Sequence, residues 1–450
     1  MDKYDPLQSD SYTEHLAEVN KTKQVLATED ILNNSGAIIV TKGAPITSSV
    51  AQQILRFKLT KPLHDTIEIE DELSGDSLYQ HFQQFLQSQP DFQKINTAFM
   101  IDPIIRAECH FMNMYPLLRQ KLTVMSTQLP KLLSQTVATT WLSVLIAHKI
   151  GCDEQGIRQT FVASLAHDIG MLHIAPDIIS KTTKLSDTEW RQIQAHSVIA
   201  FEILKNISNM SKDITLAVLE HHEECDGTGY PRGLFSSSLS IAGQIIGLAD
   251  NVIAIYTKRL EPANRSLRDV MPILQMCSRS HLYQTYEALI TVLRKVGLSE
   301  NGIISAEEMP IFIDDILHKN KQLNNYIEVY ETLLCALPVN DQGNTCERAQ
   351  ALYSFISDAI RGSGILNEGY IRWLEQVRSE KLSFAYREME DVFLMMEEIE
   401  FHLQKLKRLI NDYLLSENCS ETEKELITTH FLTLDTIKNQ EKPSSTDYSL

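Results

Sequence analysis

Apolar positions recur every three to four residues along most of this chain, the period of a helix with one buried face. The pattern runs through DSLYQHFQQFLQSQ, through the stretch from Lys94 to Gln120, and through a segment bearing Val137, Trp141, Val144, Leu145 and Ala147. It resumes in DEQGIRQTFVASLAHD and SKDITLAVLEHH, and it occupies most of residues 265–440. One early region breaks the rhythm. VLATED, AIIVTKGAPI and DTIEIED are short apolar or β-branched runs separated by Asn-Asn-Ser-Gly and Lys-Gly. They predict brief strands and turns around one amphipathic helix, SSVAQQILRFKL. The fold class expected is therefore mainly α, with a small N-terminal α+β module, a helical bundle and a helical C-terminal extension.

Punctuation divides the chain further. Residues 1–22 are polar and predict a disordered N-terminal segment, and residues 23–72 form the α+β module. A helical connector follows over 75–130, a bundle over 131–262 and a helical C-terminal region over 263–437; the tail 438–450 predicts disorder. Ser186-Asp187-Thr188-Glu189 has the form of a capping box and should open the helix carrying Trp190, Ile193 and His196. Met396, Leu403 and Ile410, with Ile399, Leu406 and Tyr413, make two series of seven-residue spacing. Packing of this stripe on the chain's own core is the first expectation, and a homodimer through this C-terminal helix is the second.

Composition narrows the partners. Hydrophobic residues make up 43% and charged residues 22% of 450, ordinary for a globular protein of two or three domains. A net charge of -18 argues against non-specific nucleic-acid binding, so DNA is not an expected partner. Seven cysteines without a Cys-x-x-Cys pair show no disulfide framework or zinc finger, and they point to a reducing, cytoplasmic setting. The N-terminus is too polar for a signal peptide, and TVATTWLSVLIAHKIG is too short and interrupted for a membrane span.

The chemistry sits at the ends of the most apolar helices. His167-Asp168 terminates FVASLA, His196 follows 28 residues after Asp168, His221-His222 terminates ITLAVLE 25 residues later, and Asp250 lies in IIGLADN. Burying a polar group without a partner costs roughly 1–3 kcal/mol, so two such doublets need each other or a metal. The set contains no thiolate and suits iron, manganese or zinc. Asp168 has the chemistry to bridge two ions, and such a pair clamps the attacking and leaving oxygens of a phosphodiester. Directly after the His-His pair, Asp226-Gly227-Thr228-Gly229-Tyr230-Pro231 predicts a rigid, substrate-lining turn. His110, in AECHFMNMYP, reads as a helix-packing residue.

The ordered series HDIG, PDIISKTTKLSDTEW, His196, HHEECDGTGYPRGL and the Asp of LAD resembles the HD-GYP family of the HD phosphohydrolase superfamily, from about Gln135 to Arg259. The resemblance implies a helical HD-type metalloenzyme with two divalent ions, iron or manganese first, that hydrolyses cyclic di-GMP or a related cyclic dinucleotide. By motif match, His167, Asp168, His196, His221, His222 and Asp250 take the metal-ligand places, with Asp168 bridging. His167 and Asp250, weakly helped by Gln135, would hold one ion; His196, His221 and His222 would hold the other. Gly229, Tyr230 and Pro231 would line the substrate, and Asp168, Tyr230 and Arg259 would be the catalytic residues, Arg259 contacting phosphate.

This chain departs from the pattern at several positions. Gln135 stands where the family's first metal-binding histidine belongs, Lys131 where a further acidic residue sometimes lies, and Met171 where a lysine meets phosphate. Pro262 replaces a further basic position, and Ile253 replaces a second aspartate. The losses remove metal donors or positive charge. The expectation is a cyclic di-GMP phosphodiesterase of weakened activity; the alternative is a catalytically impaired cyclic di-GMP-binding sensor or signalling scaffold.

Overall fold

The computed structural model describes residues 5, 8, 10–337 and 345–440. Helices dominate. Four short strands occupy the N-terminal module: β1 (Val25–Ala27) pairs antiparallel with β4 (Ile67–Ile69), placing Val25 opposite Ile69, and β2 (Ile31–Leu32) pairs with β3 (Ile38–Val40).

The first helix corrects the expectation of disorder over 1–22. Residues 11–19 form α1 (Ser11–Val19), capped by the Asp10 carboxylate, which accepts from the Tyr12 amide at 2.9 Å. Tyr12, Leu16 and Val19 are buried on one face, packed against α2 (Ser48–Ile54) and α6 (Pro116–Gln128). The Lys121 ammonium, itself buried, stands 3.1 Å from the centroid of the Tyr12 ring, and His173 Nδ1 lies 2.6 Å from Asp10 Oδ2. Those partners are more than a hundred residues away, so the local pattern could not reveal them. Residues 1–4, 6, 7 and 9 of the same expectation lie outside the described residues.

Proline and capping residues set the next boundaries. α3 (Gly75–Ser88) opens with a Ser74–Ser77 capping box; α4 (Pro90–Phe99), α5 (Asp102–Phe111), α6 and α7 (Pro130–Ile150) each carry proline in their first turn. α7 stops at Gly151, whose φ of 92° is the left-handed termination that glycine permits. α8 (Glu154–Ala166) is capped by Asp153, and α10 (Asp187–Gln194) by the predicted Ser186–Glu189 box. Around them lie the single turn α9 (Pro176–Ile179), then α11 (His196–Lys205), α12 (Lys212–Glu220) and α13 (Ile241–Ile255). α8 packs between α7 and α12, and α12 also packs on α11. No helix among the described residues is long and apolar enough to cross a membrane.

The chain resolves into two compact units. One comprises residues 1–224, 229–254 and 284–292; the other comprises 225–228, 255–283 and 293–450. In the second, a π-helical turn (Tyr256–Leu260) precedes α14 (Val270–Met276). After α15 (Tyr283–Val296), which both units share, come α16 (Met309–Ala336), α17 (Thr345–Ser363), α18 (Glu368–Glu380), α19 (Tyr386–Leu414) and α20 (Glu421–Gln440). The seven-residue stripe of Met396, Leu403, Ile410, Ile399, Leu406 and Tyr413 lies in the core that α19 shares with α16, α17 and α20. It is covered by this unit's own helices, so that face is not left over for a coiled-coil dimer. Lys438–Gln440 of the expected tail complete α20, and 441–450 lie outside the described residues.

A buried charge network ties the second unit together. Arg265, with a fully buried guanidinium, donates to Asp269 at 3.2 Å and Glu390 at 2.8 Å. Glu390 also accepts the backbone amides of Ile303 at 3.2 Å and Ile304 at 3.1 Å, and Arg387 pairs with Asp269. Glu390→Leu should lower unfolding stability by about 3–5 kcal/mol in a urea titration, because a buried guanidinium loses the closer of its two carboxylate partners. Adding Arg265→Met should recover a large part of that loss.

Candidate metal centre

The expected ligands occupy helix ends. His167 closes α8, Asp168 follows it, His196 opens α11, His221 closes α12 with His222 next, and Asp250 sits within α13. Three glycines permit the approach of these ends. A Cβ on Gly170 would fall 2.0 Å from the His196 carbonyl oxygen, and one on Gly247 would fall 2.4 Å from that of His221. A Cβ on Gly229 would meet the Glu224 amide nitrogen at 2.3 Å and the His222 carbonyl oxygen at 2.4 Å. No other residue tolerates such backbone contact.

The imidazoles are oriented by their own helices. Nδ1 of His167, His196 and His221 each lies 2.6 Å from the carbonyl oxygen three residues earlier, on Ser164, Ile193 and Val218. A carbonyl accepts only from N–H, so Nδ1 carries the proton and a neutral ring turns its Nε2 lone pair inward. There the nitrogens and carboxylates converge. Asp168 Oδ2 is 3.2 Å from His167 Nε2, and Asp168 Oδ1 is 3.4 Å from His196 Nε2. His196 Nε2 is 3.2 Å from His221 Nε2, and Asp250 Oδ1 is 3.8 Å from His167 Nε2. The rings of His221 and His222 stand 4.0 Å apart.

These residues fit a divalent cation. Two Nε2 lone pairs facing each other at 3.2 Å have no proton to share once both Nδ1 positions are protonated. His167 Nε2 is buried and makes no hydrogen bond. Two ligands on one tetrahedral ion, each at about 2.0–2.1 Å, stand about 3.3–3.5 Å apart, close to the spacings seen. The donors fall into two overlapping groups, His196–His221–His222 and His167–Asp168–His221. His221 belongs to both, where the sequence reading placed it with only one ion.

Electrostatics favour the ligand forms of Asp168, His221 and His222. Burial raises the Asp168 carboxyl, but His167 ahead of His196 and His221 overcomes that and holds it low. Burial, then the neighbouring imidazoles, pushes His221 and His222 well below the usual histidine range and keeps them neutral. Burial pushes His167 down, yet Asp168 and then Asp250 more than offset it and raise it well above that range. A site of buried carboxylates that draws a proton onto His167 offers the same attraction to a metal cation.

The loop after His222 is held by two acids that the sequence reading missed. Glu220, 1% exposed, accepts from the Arg232 guanidinium and from the Ser240 amide at 2.8 Å. Glu223, 3% exposed, accepts the amides of Arg232 at 2.6 Å and Leu234 at 2.9 Å. In the sequence they flank the histidines as EHHEE, indistinguishable from a solvated acidic run. Their clamp carries Gly229, Tyr230 and Pro231. The Tyr230 amide donates to the His222 carbonyl at 3.0 Å, and its ring stacks on that imidazole at 4.6 Å. Burial, then Asp168 and Asp250, raises the Tyr230 hydroxyl well above its usual range, so it stays a donor.

The remaining expected residues lie on other elements. Gln135 is partly buried on α7, the helix that supports α8. Met171 is partly exposed in the 3₁₀ turn Ile169–His173. Arg259 lies in the second unit, on the π-helical turn, donating to Glu398 Oε2 at 2.8 Å with Glu397 Oε2 at 3.5 Å. His110, expected to pack between helices, is instead exposed near the end of α5.

The glycine contacts generate a direct expectation. Gly170→Ala should lower stability by about 1–3 kcal/mol, the range for a forced overpacking. Elemental analysis should find its metal content below that of the wild type, since the strain falls on the backbone of a ligand.

The centre lies in a segment that is similar to known proteins. Residues 119–285 match the HD domain family model. Over 111 residues, 25% of this chain and 23% of the relative, the sequence is 40% identical to 3'3'-cGAMP-specific phosphodiesterase 3 of Vibrio cholerae. It is 33% identical over 130 residues to 3'3'-cGAMP-specific phosphodiesterase 1 of the same organism, covering 29% of this chain and 30% of that protein. A cyclic di-GMP phosphodiesterase of Thermotoga maritima is 34% identical over 120 residues, 26% of this chain and 33% of its own length. The aligned segment thus spans about a quarter to a third of these relatives. A solved HDG"Y"P protein from Bdellovibrio bacteriovorus overlaps 49% of this chain and 70% of its own at 16% identity and a TM-score of 0.34. Residues 119–285 of this chain match an HD domain, within a segment similar to cyclic-dinucleotide phosphodiesterases.

Proposed function

We propose that this chain is a metal-dependent phosphodiesterase for cyclic dinucleotides, of the cyclic di-GMP or 3'3'-cGAMP class, with reduced turnover. The observation that carries the reading is Asp168, one oxygen beside His167 and the other beside His196, among imidazoles whose Nδ1 protons are already engaged. His167, Asp168 and His221 would hold one ion, with Asp250 nearby, and His196, His221 and His222 the other. Bound divalent ions, iron or manganese, supply Lewis acidity at the phosphoryl group.

The protein's own groups do the rest. Tyr230 offers a protonated hydroxyl on a partly exposed residue whose ring is already stacked on His222, suited to orienting a nucleotide. Gly229 and Pro231 keep that ring in place, with Glu220 and Glu223 as the clamps behind them. Arg259 takes the phosphate-contacting role by motif. Its engagement by Glu397 and Glu398 reduces the positive charge it has to offer, Met171 lacks the charge of a lysine, and Gln135 is a weaker metal donor than histidine. Its seven cysteines, none in a disulfide, fit a reducing compartment, and we place the protein in the cytoplasm.

Those same three features support the second reading, a cyclic-dinucleotide sensor with little turnover. Purified protein loaded anaerobically with Fe²⁺, or with Mn²⁺, should convert cyclic di-GMP or 3'3'-cGAMP to a linear dinucleotide, followed by chromatography. His196→Ala should reduce the rate by at least about 100-fold, beyond the 10–100-fold that loss of a ligand's supporting hydrogen bond costs. Saturable nucleotide binding with no product under either metal would leave the sensor reading. Gln135→His combined with Met171→Lys should raise turnover by about 10-fold or more, in line with a gain of about 1.4 kcal/mol or more in transition-state stabilisation. An unchanged rate would show that neither departure is limiting.

A further inference from the structure

The second unit contains another set of metal-ligand side chains, unrelated to the HD motif. Cys277 caps the C-terminal end of α14, and Glu398 and His402 lie one turn apart on α19, which packs against α14. The Cys277 Sγ, a Glu398 carboxylate oxygen and a His402 ring nitrogen all lie within 4.8 Å of one another. All three residues are buried, at 4%, 4% and 7% exposure respectively. We propose that they form a mononuclear site for a zinc-class divalent transition metal.

The donor chemistry is specific. Thiolate, imidazole and carboxylate together select zinc or cobalt over magnesium or calcium. Glu398 Oε1 and His402 Nε2, 3.5 Å apart, already hold the about 3.3–3.8 Å that ligands on one tetrahedral ion adopt, and Cys277 Sγ lies within 4.8 Å of a donor atom of each residue. The two carboxylate oxygens of Glu398 have separate surroundings: Oε1 lies 3.5 Å from His402 Nε2, and Oε2 accepts from Arg259 at 2.8 Å. Arg259 therefore orients the carboxylate from behind, the arrangement by which outer hydrogen bonds fix a ligating group. The Cys277 thiol points at the Ile273 and Leu274 carbonyls, at 3.6 and 3.7 Å, and would surrender that proton to bulk water on ligation. Cys277 and His402 also line a cavity of about 270 Å³, together with Ser278, Arg279, Ser280 and Ser363. It gives an ion an entry route and leaves room for a water or small anion as the fourth ligand.

Cobalt substitution separates this site from the HD centre, which holds no thiolate. Full-length protein stripped with chelator and titrated with Co²⁺ should develop a near-ultraviolet thiolate-to-cobalt charge-transfer band. His196→Ala and Cys225→Ser should retain the band. Cys277→Ser should lose it together with one cobalt per chain, and His402→Gln should weaken cobalt binding at least 10-fold, with circular dichroism confirming the fold. Absence of the band in the wild-type protein would overturn the proposal, as would its persistence in Cys277→Ser. The HD-centre reading is unaffected by either result, because its ligands carry no sulfur.

Discussion

Everything around the HD motif depends on one electrostatic constraint. Three buried imidazoles have their Nδ1 protons engaged by backbone carbonyls, and their Nε2 atoms are crowded around a single carboxylate. Without a cation, such a cluster concentrates unpartnered lone pairs where water is scarce, an arrangement that costs free energy in a low dielectric. The fold tolerates it because the rings are fixed by i−3 carbonyls within their own helices, so their direction does not rely on occupancy. That is preorganisation in a literal sense: the helix ends supply both the tautomer and the aim.

Two further devices serve that constraint. Glycines at 170, 229 and 247 remove the side chains that would hold the helix ends apart, with backbone atoms of His196, His222 and His221 in the vacated space. Glu220 and Glu223 turn inward to anchor the loop bearing Tyr230, satisfying backbone amides that a buried loop would otherwise leave open. The acids bracketing His221-His222 are thus structural partners of the loop, and the histidines between them face the opposite task. In the second unit, buried acids act on guanidiniums instead. Glu390 balances Arg265, while Glu398 is divided between Arg259 and His402.

Much of this was legible in the primary structure. The helical periodicity, the Ser186–Glu189 cap and the three-strand-like early runs all correspond to observed elements, and the His and Asp doublets at the ends of apolar helices do converge. The order of α1 was not legible. Besides the local Asp10 cap, its stability comes from Lys121 and His173, contributed by segments that no window of local sequence connects to it. The seven-residue stripe on α19 was readable as a buried face, but whether a second chain or the same chain covers it is a question of tertiary packing.

The sequence by itself determined which residue types reach helix ends, because period, caps and glycines are local properties governed by backbone sterics and hydrogen bonding. It also determined a ligand set without sulfur at the HD motif. Only the tertiary structure decided that His221 is shared between two donor groups, that Glu220 and Glu223 clamp the loop, and that Cys277 meets Glu398 and His402. Those outcomes depend on distances between segments far apart along the chain. Such distances are set by how whole helices pack, and no local pattern of residues encodes them.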